Sequence, residues 1–226
     1  MGIFKLDSPI TRFLMRVADL MILNVVAMAC CFPVITVGAS LTALHYMSLK
    51  MVRGEEGYLM KGFFKSFKDN FKQATIIWVI LLLAVMLVVL DFVIMAKSGL
   101  EFGTFIKVVI CVIAVLLACI FIYVFAILAK FDNTVKNTIK NALFMSIHQF
   151  PQTVLMLIIY LVPVVIILLI PEGLPLVFMF GLTFPVYMSA LLYNKFFKKL
   201  EESVIAAHTP AQEEESEPTE QQTDKE

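Results

Sequence analysis

The sequence is short of charge. Asp, Glu, Lys and Arg make up 16% of its 226 residues, while 60% are apolar. An average soluble domain carries about 25% charged residues. A chain of this make-up cannot clothe a soluble surface, which excludes a soluble enzyme and a nucleic-acid binder. Histidine is scarce as well, and His45, His148 and His208 lie far apart. Within the apolar stretches no two carboxylates stand at the i, i+3 or i, i+4 spacing that shares a helix face. A GxxxxGK[ST] phosphate loop is missing. Cys30, Cys31, Cys111 and Cys119 all sit in apolar stretches, where cysteine behaves as a small hydrophobe. They show neither metal-ligand spacing nor a disulfide framework. These patterns point to no catalytic residue, no metal and no cofactor, and the chain does not read as an enzyme.

What is present is a series of long apolar runs. Residues 74–96 form a 23-residue stretch with one charge, Asp91, and residues 108–129 a 22-residue stretch with none. Residues 154–170 contain Pro163, and residues 174–193 contain Pro175 and Pro185. At ~1.5 Å per residue, 20–23 helical residues cross a ~30 Å hydrocarbon core. The expected fold is therefore all-α, a polytopic transmembrane bundle over residues 1–200.

The N-terminal part leaves the helix count open. Ser8-Pro9 reads as an N-cap followed by proline at the first helical position, opening a helix that reaches about Phe32. Pro33 and Gly38 interrupt the pattern, and a second apolar stretch, residues 39–52, ends at Arg53-Gly54. If both stretches span, there are six helices in three hairpins with both termini cytoplasmic; if only the first does, there are five. Basic residues favour the cytoplasmic side. The six-helix arrangement places 16 of 18 there and leaves only Lys97 and Lys107 outside, whereas the five-helix one gives 13 against 5. Six is the reading adopted, although residues 39–53 number only 15, or ~23 Å of helix. Ala27-Met28-Ala29 before Cys30 looks like a processing site, but the apolar run continues past it, so no cleavage is expected.

The formal net charge of zero hides an asymmetry. Residues 1–200 hold 17 basic and 9 acidic side chains, a net of +8, and residues 201–226 hold one basic and 9 acidic, a net of −8. The acidic tail from residue 201 is expected to be disordered.

Two stretches stand out. Around the lead-in to residue 74, Phe63, Phe64, Phe67 and Phe71 follow helical spacing as an apolar stripe. Lys61, Lys65, Lys68 and Lys72 form a basic stripe beside it. This is the pattern of a helix lying on a membrane surface or docking a partner. The second, residues 33–46, gathers Pro33, Thr36, Gly38, Ser40, Thr42 and His45 around a break in an apolar run. With Asp19 and Asn24 from the preceding stretch, these residues suit either a solute site, as broken helices do in transporters, or close helix packing through small residues. A weak repeat is also visible, since residues 63–80 resemble residues 143–158, with one residue deleted after Ile147 and the last position of the first copy left unmatched. It aligns Phe64 with Phe144, Ser66 with Ser146, Phe67 with Ile147, Phe71 with Phe150 and Gln73 with Gln152.

Three blocks carry a resemblance: CCFPVITVGASLTALHYMSLKMVRGEEGY, FFKSFKDNFKQATIIW and FDNTVKNTIKNALFMSIHQFPQT. Together they resemble the YesL family of bacterial integral membrane proteins over about residues 1–200. The resemblance implies a small polytopic protein of the bacterial plasma membrane, of undefined biochemical activity, often encoded beside carbohydrate uptake systems of the ATP-binding-cassette type. It therefore implies an accessory role in sugar uptake, with the lipid bilayer and transporter subunits as partners, and supplies no catalytic residues. Residues 141–151 match only the ending of the loop with which sugar-importer permeases dock their ATPase, so the chain does not read as such a permease. The alternative is a stand-alone carrier or channel.

Overall fold

The computed structural model describes residues 9–55, 57–97 and 103–215, with side chains for 10–55, 57–97, 103–170 and 172–202. Among these residues every regular element is helical. Helix α1 (Pro9–Cys31) begins at the expected proline, Ser8 itself lying outside the described residues. A short 3-10 turn, Val34–Thr36, leads into α2 (Val37–Arg53). Gly54 stops α2 in the left-handed region at φ 69°, its N–H turning back to the Lys50 and Met51 carbonyls. Glycine adopts that conformation without a Cβ penalty and so serves as a helix stop.

Helix α3 (Leu59–Lys97) runs 39 residues without interruption, about 58 Å at the helical rise. The lead-in expected to lie separately on the membrane surface is thus the first third of the same helix. From residue 63 to 97 the chain contains neither glycine nor proline, so nothing separates the amphipathic part from the apolar part. Then follow α4 (Thr104–Lys130), α5 (Val135–His148), α6 (Phe150–Leu169, with Pro163 inside), α7 (Leu174–Phe180) and α8 (Thr183–Glu215). Thr134 caps α5 by accepting from the Asn137 N–H. Helix α8 passes the domain boundary expected at residue 200, and residues 216–226 of the acidic tail lie outside the described residues.

The two copies of the repeat share a burial phase. Ser66, Ala74 and Ile77 are buried on α3, and so are their counterparts Ser146, Thr153 and Met156 on α5 and α6. The second copy breaks at Gln149, between α5 and α6, where the deleted residue falls.

Large apolar side chains cover the outside of α3, α4 and α6. Val85, Met86, Leu87, Val89 and Leu90 are exposed on α3, Val108, Val112 and Val115 on α4, and Leu161, Val164 and Val165 on α6. A surface that apolar requires hydrocarbon rather than water. Among the described residues four helices, α1, α3, α4 and α6, are long and apolar enough to cross a membrane. The number is five if α7 and the first part of α8, bent by 50° about their break, count as one span.

Helix α2 is not among them. Twelve of its 17 residues are buried, against α1, α3, α4 and α8. Its surroundings are protein rather than lipid, which is why a helix bearing Ser40, Thr42, His45 and Ser48 can sit at the centre of such a bundle. It lies antiparallel to α1: Ser40 Oγ donates to the Ala27 carbonyl at 2.9 Å near one end, and Arg16 Nη1 donates to the Met51 carbonyl at 2.6 Å near the other. Along α3 it packs from Trp78 and Ala74, beside Gly38, down to Gly62, beneath Met47. Above that level α3 turns to α4, with Trp78 tilted against Phe121 and Phe125 at 6.4 and 6.5 Å.

Candidate functional site

The residues singled out in the first two helices divide by what they touch. Asn24 is wholly buried on α1 and faces the break between α7 and α8. Its Nδ2 donates to the Phe178 carbonyl at 2.7 Å, and its Oδ1 accepts from the Leu182 and Thr183 N–H groups, both at 2.9 Å. The Thr183 hydroxyl lies 2.7 Å from the same Oδ1 and 3.1 Å from the Leu20 carbonyl, and donates to one or the other. A helix break within a membrane frees backbone groups that no water can satisfy. One asparagine from a neighbouring helix answers the carbonyl on one side of this break and the first N–H groups on the other.

The break between α1 and α2 is closed in the same manner. Thr36 Oγ1 lies 2.5 Å from the Cys30 carbonyl and 2.7 Å from that of Pro33, while the Trp78 indole N–H donates to the Val34 carbonyl at 2.7 Å. Pro33 itself is exposed in extended geometry at φ −76°, ψ 119°. Thr42 donates back to the Gly38 carbonyl at 2.8 Å within its own helix. A Cβ placed on Gly38 would come within 2.5 Å of the Ala74 carbonyl oxygen and 2.6 Å of Trp78 Cβ. Gly38 is therefore a point of close approach between α2 and α3. Asp19 is half-buried on α1, five residues before Asn24.

His45 is the exception. Its ring is buried between two phenols, Nδ1 at 3.1 Å from the Tyr193 hydroxyl on α8 and Nε2 at 3.4 Å from the Tyr160 hydroxyl on α6. A neutral imidazole has one donor and one acceptor nitrogen, so one tyrosine gives a hydrogen bond and the other receives one. One turn further along α2 the Ser48 hydroxyl is buried with no hydrogen-bond partner. No spacing in the sequence links Tyr160 or Tyr193 to His45. A tyrosine amid an apolar run was the one available signal, since its hydroxyl needs a partner when buried.

The expected phenylalanine stripe splits. Phe63 is 0% exposed, packed with Ala43, Leu44 and Met47 of α2, and Phe67 is half-buried. Phe64 and Phe71 are exposed, as are Lys61, Lys65, Lys68 and Lys72. Only part of the stripe is free for lipid or a partner, because α2 covers the rest.

At the end of α2, Arg53 donates to Asn194 Oδ1 at 2.9 Å and bidentately to Glu201 at 2.8 and 3.1 Å, with Lys130 Nζ 3.4 Å from the same carboxylate. Glu201, expected at the start of a solvated tail, instead ties α2, α4 and α8 together. The Arg53 hydrogen bonds hold its carboxyl below the usual range. A group whose folded pKa is lowered stabilises the fold fully above its ordinary value and loses that contribution as the pH falls through the lowered one. The thermal stability that Glu201→Gln removes at neutral pH is therefore expected to shrink as the pH drops below about 4.5, the ordinary value for this carboxyl. Unfolding midpoints of both proteins in mild detergent across that range provide the check. Among the described residues no three His, Cys, Asp or Glu side chains gather to hold a metal ion.

The geometry defines a class, a multi-pass helical membrane protein in which Asn24, Thr36 and Thr183 satisfy backbone or side-chain groups at two helix breaks. Within that class, a family model described as "Protein of unknown function, DUF624" matches residues 20–92. The match runs from the last three turns of α1 through α2 into α3 and includes Asn24, Gly38, Trp78 and the first two of the three blocks quoted above. The comparisons with curated proteins and with solved structures return no match.

Proposed function

We propose that the protein is a non-enzymatic accessory or assembly component of a bacterial carbohydrate transport system, acting through helix packing in the plasma membrane. The observation that carries this reading is the occupancy of the polar groups in α1 and α2. Asn24 and Ser40 bond to the backbone of a neighbouring helix, Thr36 to a carbonyl across the break between α1 and α2, and Thr42 to a carbonyl of its own helix, so these polar groups are engaged within the bundle rather than offered to a solute. The exposed basic face at Lys61, Lys65, Lys68 and Lys72, near the end where Arg53 meets Glu201, is the surface offered to a transporter subunit. In this reading α1 with α2, α3 with α4, and α6 with α7–α8 are three hairpins, and both termini are cytoplasmic.

The alternative is a stand-alone carrier or channel, and the buried His45 between Tyr160 and Tyr193 is the observation that favours it. Uptake of radiolabelled sugars into liposomes holding the purified protein alone separates the two. The accessory role predicts no uptake above protein-free vesicles. Uptake that disappears on substituting Thr36, Ser40 or His45, with expression intact, would establish the carrier instead.

A further inference from the structure

We propose that the cleft between α1, α6 and α7–α8 binds one acyl chain of an anionic phospholipid, with Arg12 and Arg16 holding its phosphate. The cleft has a volume of about 540 Å³ and fourteen lining residues, of which Arg16 is the only charged one. Its walls include Phe13 and Leu20 on α1, Val162 and Ile166 on α6, and Phe180 and Phe184 on either side of the bend. Pro163 and Gly181 also line it, the proline inside α6 and the glycine at the 50° break.

Such a cleft, set in the wall of a bundle that faces hydrocarbon, does not stay empty. Its lining would forfeit dispersion contacts, and water finds no polar partners there. The chain of a lipid is the matching filler. The single charge selects which lipid. Arg16 is fixed by the Met51 carbonyl at 2.6 Å, two residues from Arg53 and hence at the charged end of the bundle. Arg12 is exposed one turn earlier on α1. Guanidinium groups match phosphate oxygens bidentately, and basic sites between helices at the cytoplasmic end favour anionic headgroups.

Native mass spectrometry of the full-length protein, given equal amounts of phosphatidylglycerol and phosphatidylcholine with identical chains, tests this. A retained phosphatidylglycerol is expected, favoured over phosphatidylcholine by about twenty-five-fold, roughly fivefold for each arginine. Arg12→Gln with Arg16→Gln is expected to bring the two lipids level, and Val162→Trp, which fills the cleft, to lower retention of both. Arg16→Gln also removes the bond to Met51, so exposed Arg12→Gln alone serves if the double variant does not fold. It is expected to cut the preference about fivefold. Equal retention of the two lipids by the wild type, a preference that survives Arg12→Gln unchanged, or unchanged retention in Val162→Trp would overturn the proposal.

Discussion

Gly38→Val is expected to prevent assembly of the bundle. The first carbon added at this position meets the Ala74 carbonyl oxygen at 2.5 Å, Trp78 Cβ at 2.6 Å and the Ala74 carbonyl carbon at 3.1 Å. Two of these are backbone atoms in the middle of a 39-residue helix, and no rotamer change moves them. Relief requires α2 to withdraw from α3. That withdrawal opens the packing of Ala39, Leu41, Ala74 and Ile77 in the core and strains the bond from Trp78 to Val34. Overpacking of a dense core costs about 1–3 kcal/mol and sometimes more. With backbone as the obstacle the upper end of that range is expected, and valine adds further bulk beyond Cβ. The readout is the monodisperse fraction in mild detergent and the unfolding midpoint. Gly57→Ala, where an added Cβ meets nothing within 4 Å, is the control expected to behave as wild type.

Asn24→Ala is expected to be at least as severe, for an electrostatic rather than a steric reason. It orphans the Phe178 carbonyl and the Leu182 and Thr183 N–H groups at a buried helix break. Each unsatisfied buried group costs about 1–3 kcal/mol, so the loss is roughly 3–5 kcal/mol in all once some relaxation is allowed. The direction of the bonds adds a finer expectation. Asn24→Asp keeps an acceptor for the two N–H groups at the start of α8, where a negative charge is favoured, but loses the donor to Phe178 and buries a charge. It is expected to fall between wild type and alanine. Thermal unfolding of the three proteins in the same detergent orders them, and equal midpoints for all three would show that the break does not depend on this side chain.

Much of the helical layout was legible in the sequence because apolar runs and their punctuation are local. Pro9 opens α1, Gly54 closes α2, and the apolar stretches of α3, α4 and α6 fall where hydropathy puts them. The fusion of the phenylalanine stripe with the span was not legible. Helical spacing of Phe63, Phe64, Phe67 and Phe71 is the same for a helix lying on a membrane and for one packed against a neighbour. The difference lies in Ala43, Leu44 and Met47, which cover Phe63 from another helix. The role of Asn24 was hidden for a similar reason, since its partners are 154–159 residues away. Its presence in an apolar run signalled a need for partners without naming them. Glu201 looked like the first residue of a solvated tail because its net charge belongs with that tail, whereas its contacts belong with Arg53 and Lys130. The number of spans turns on the bent pair α7–α8 and on α2, whose enclosure by protein frees it from the composition that lipid demands.

The proposed role has the protein packing against a transporter rather than moving solute itself. The most direct measurement is a mild-detergent pull-down of the tagged full-length protein from its native membrane, with partners identified and quantified by mass spectrometry. Near-stoichiometric recovery of a sugar-transport permease or its ATPase is expected, lost when Lys61, Lys65, Lys68 and Lys72 are replaced by glutamine. Recovery of the protein without such a subunit, together with sugar uptake by the same preparation in liposomes, would contradict it.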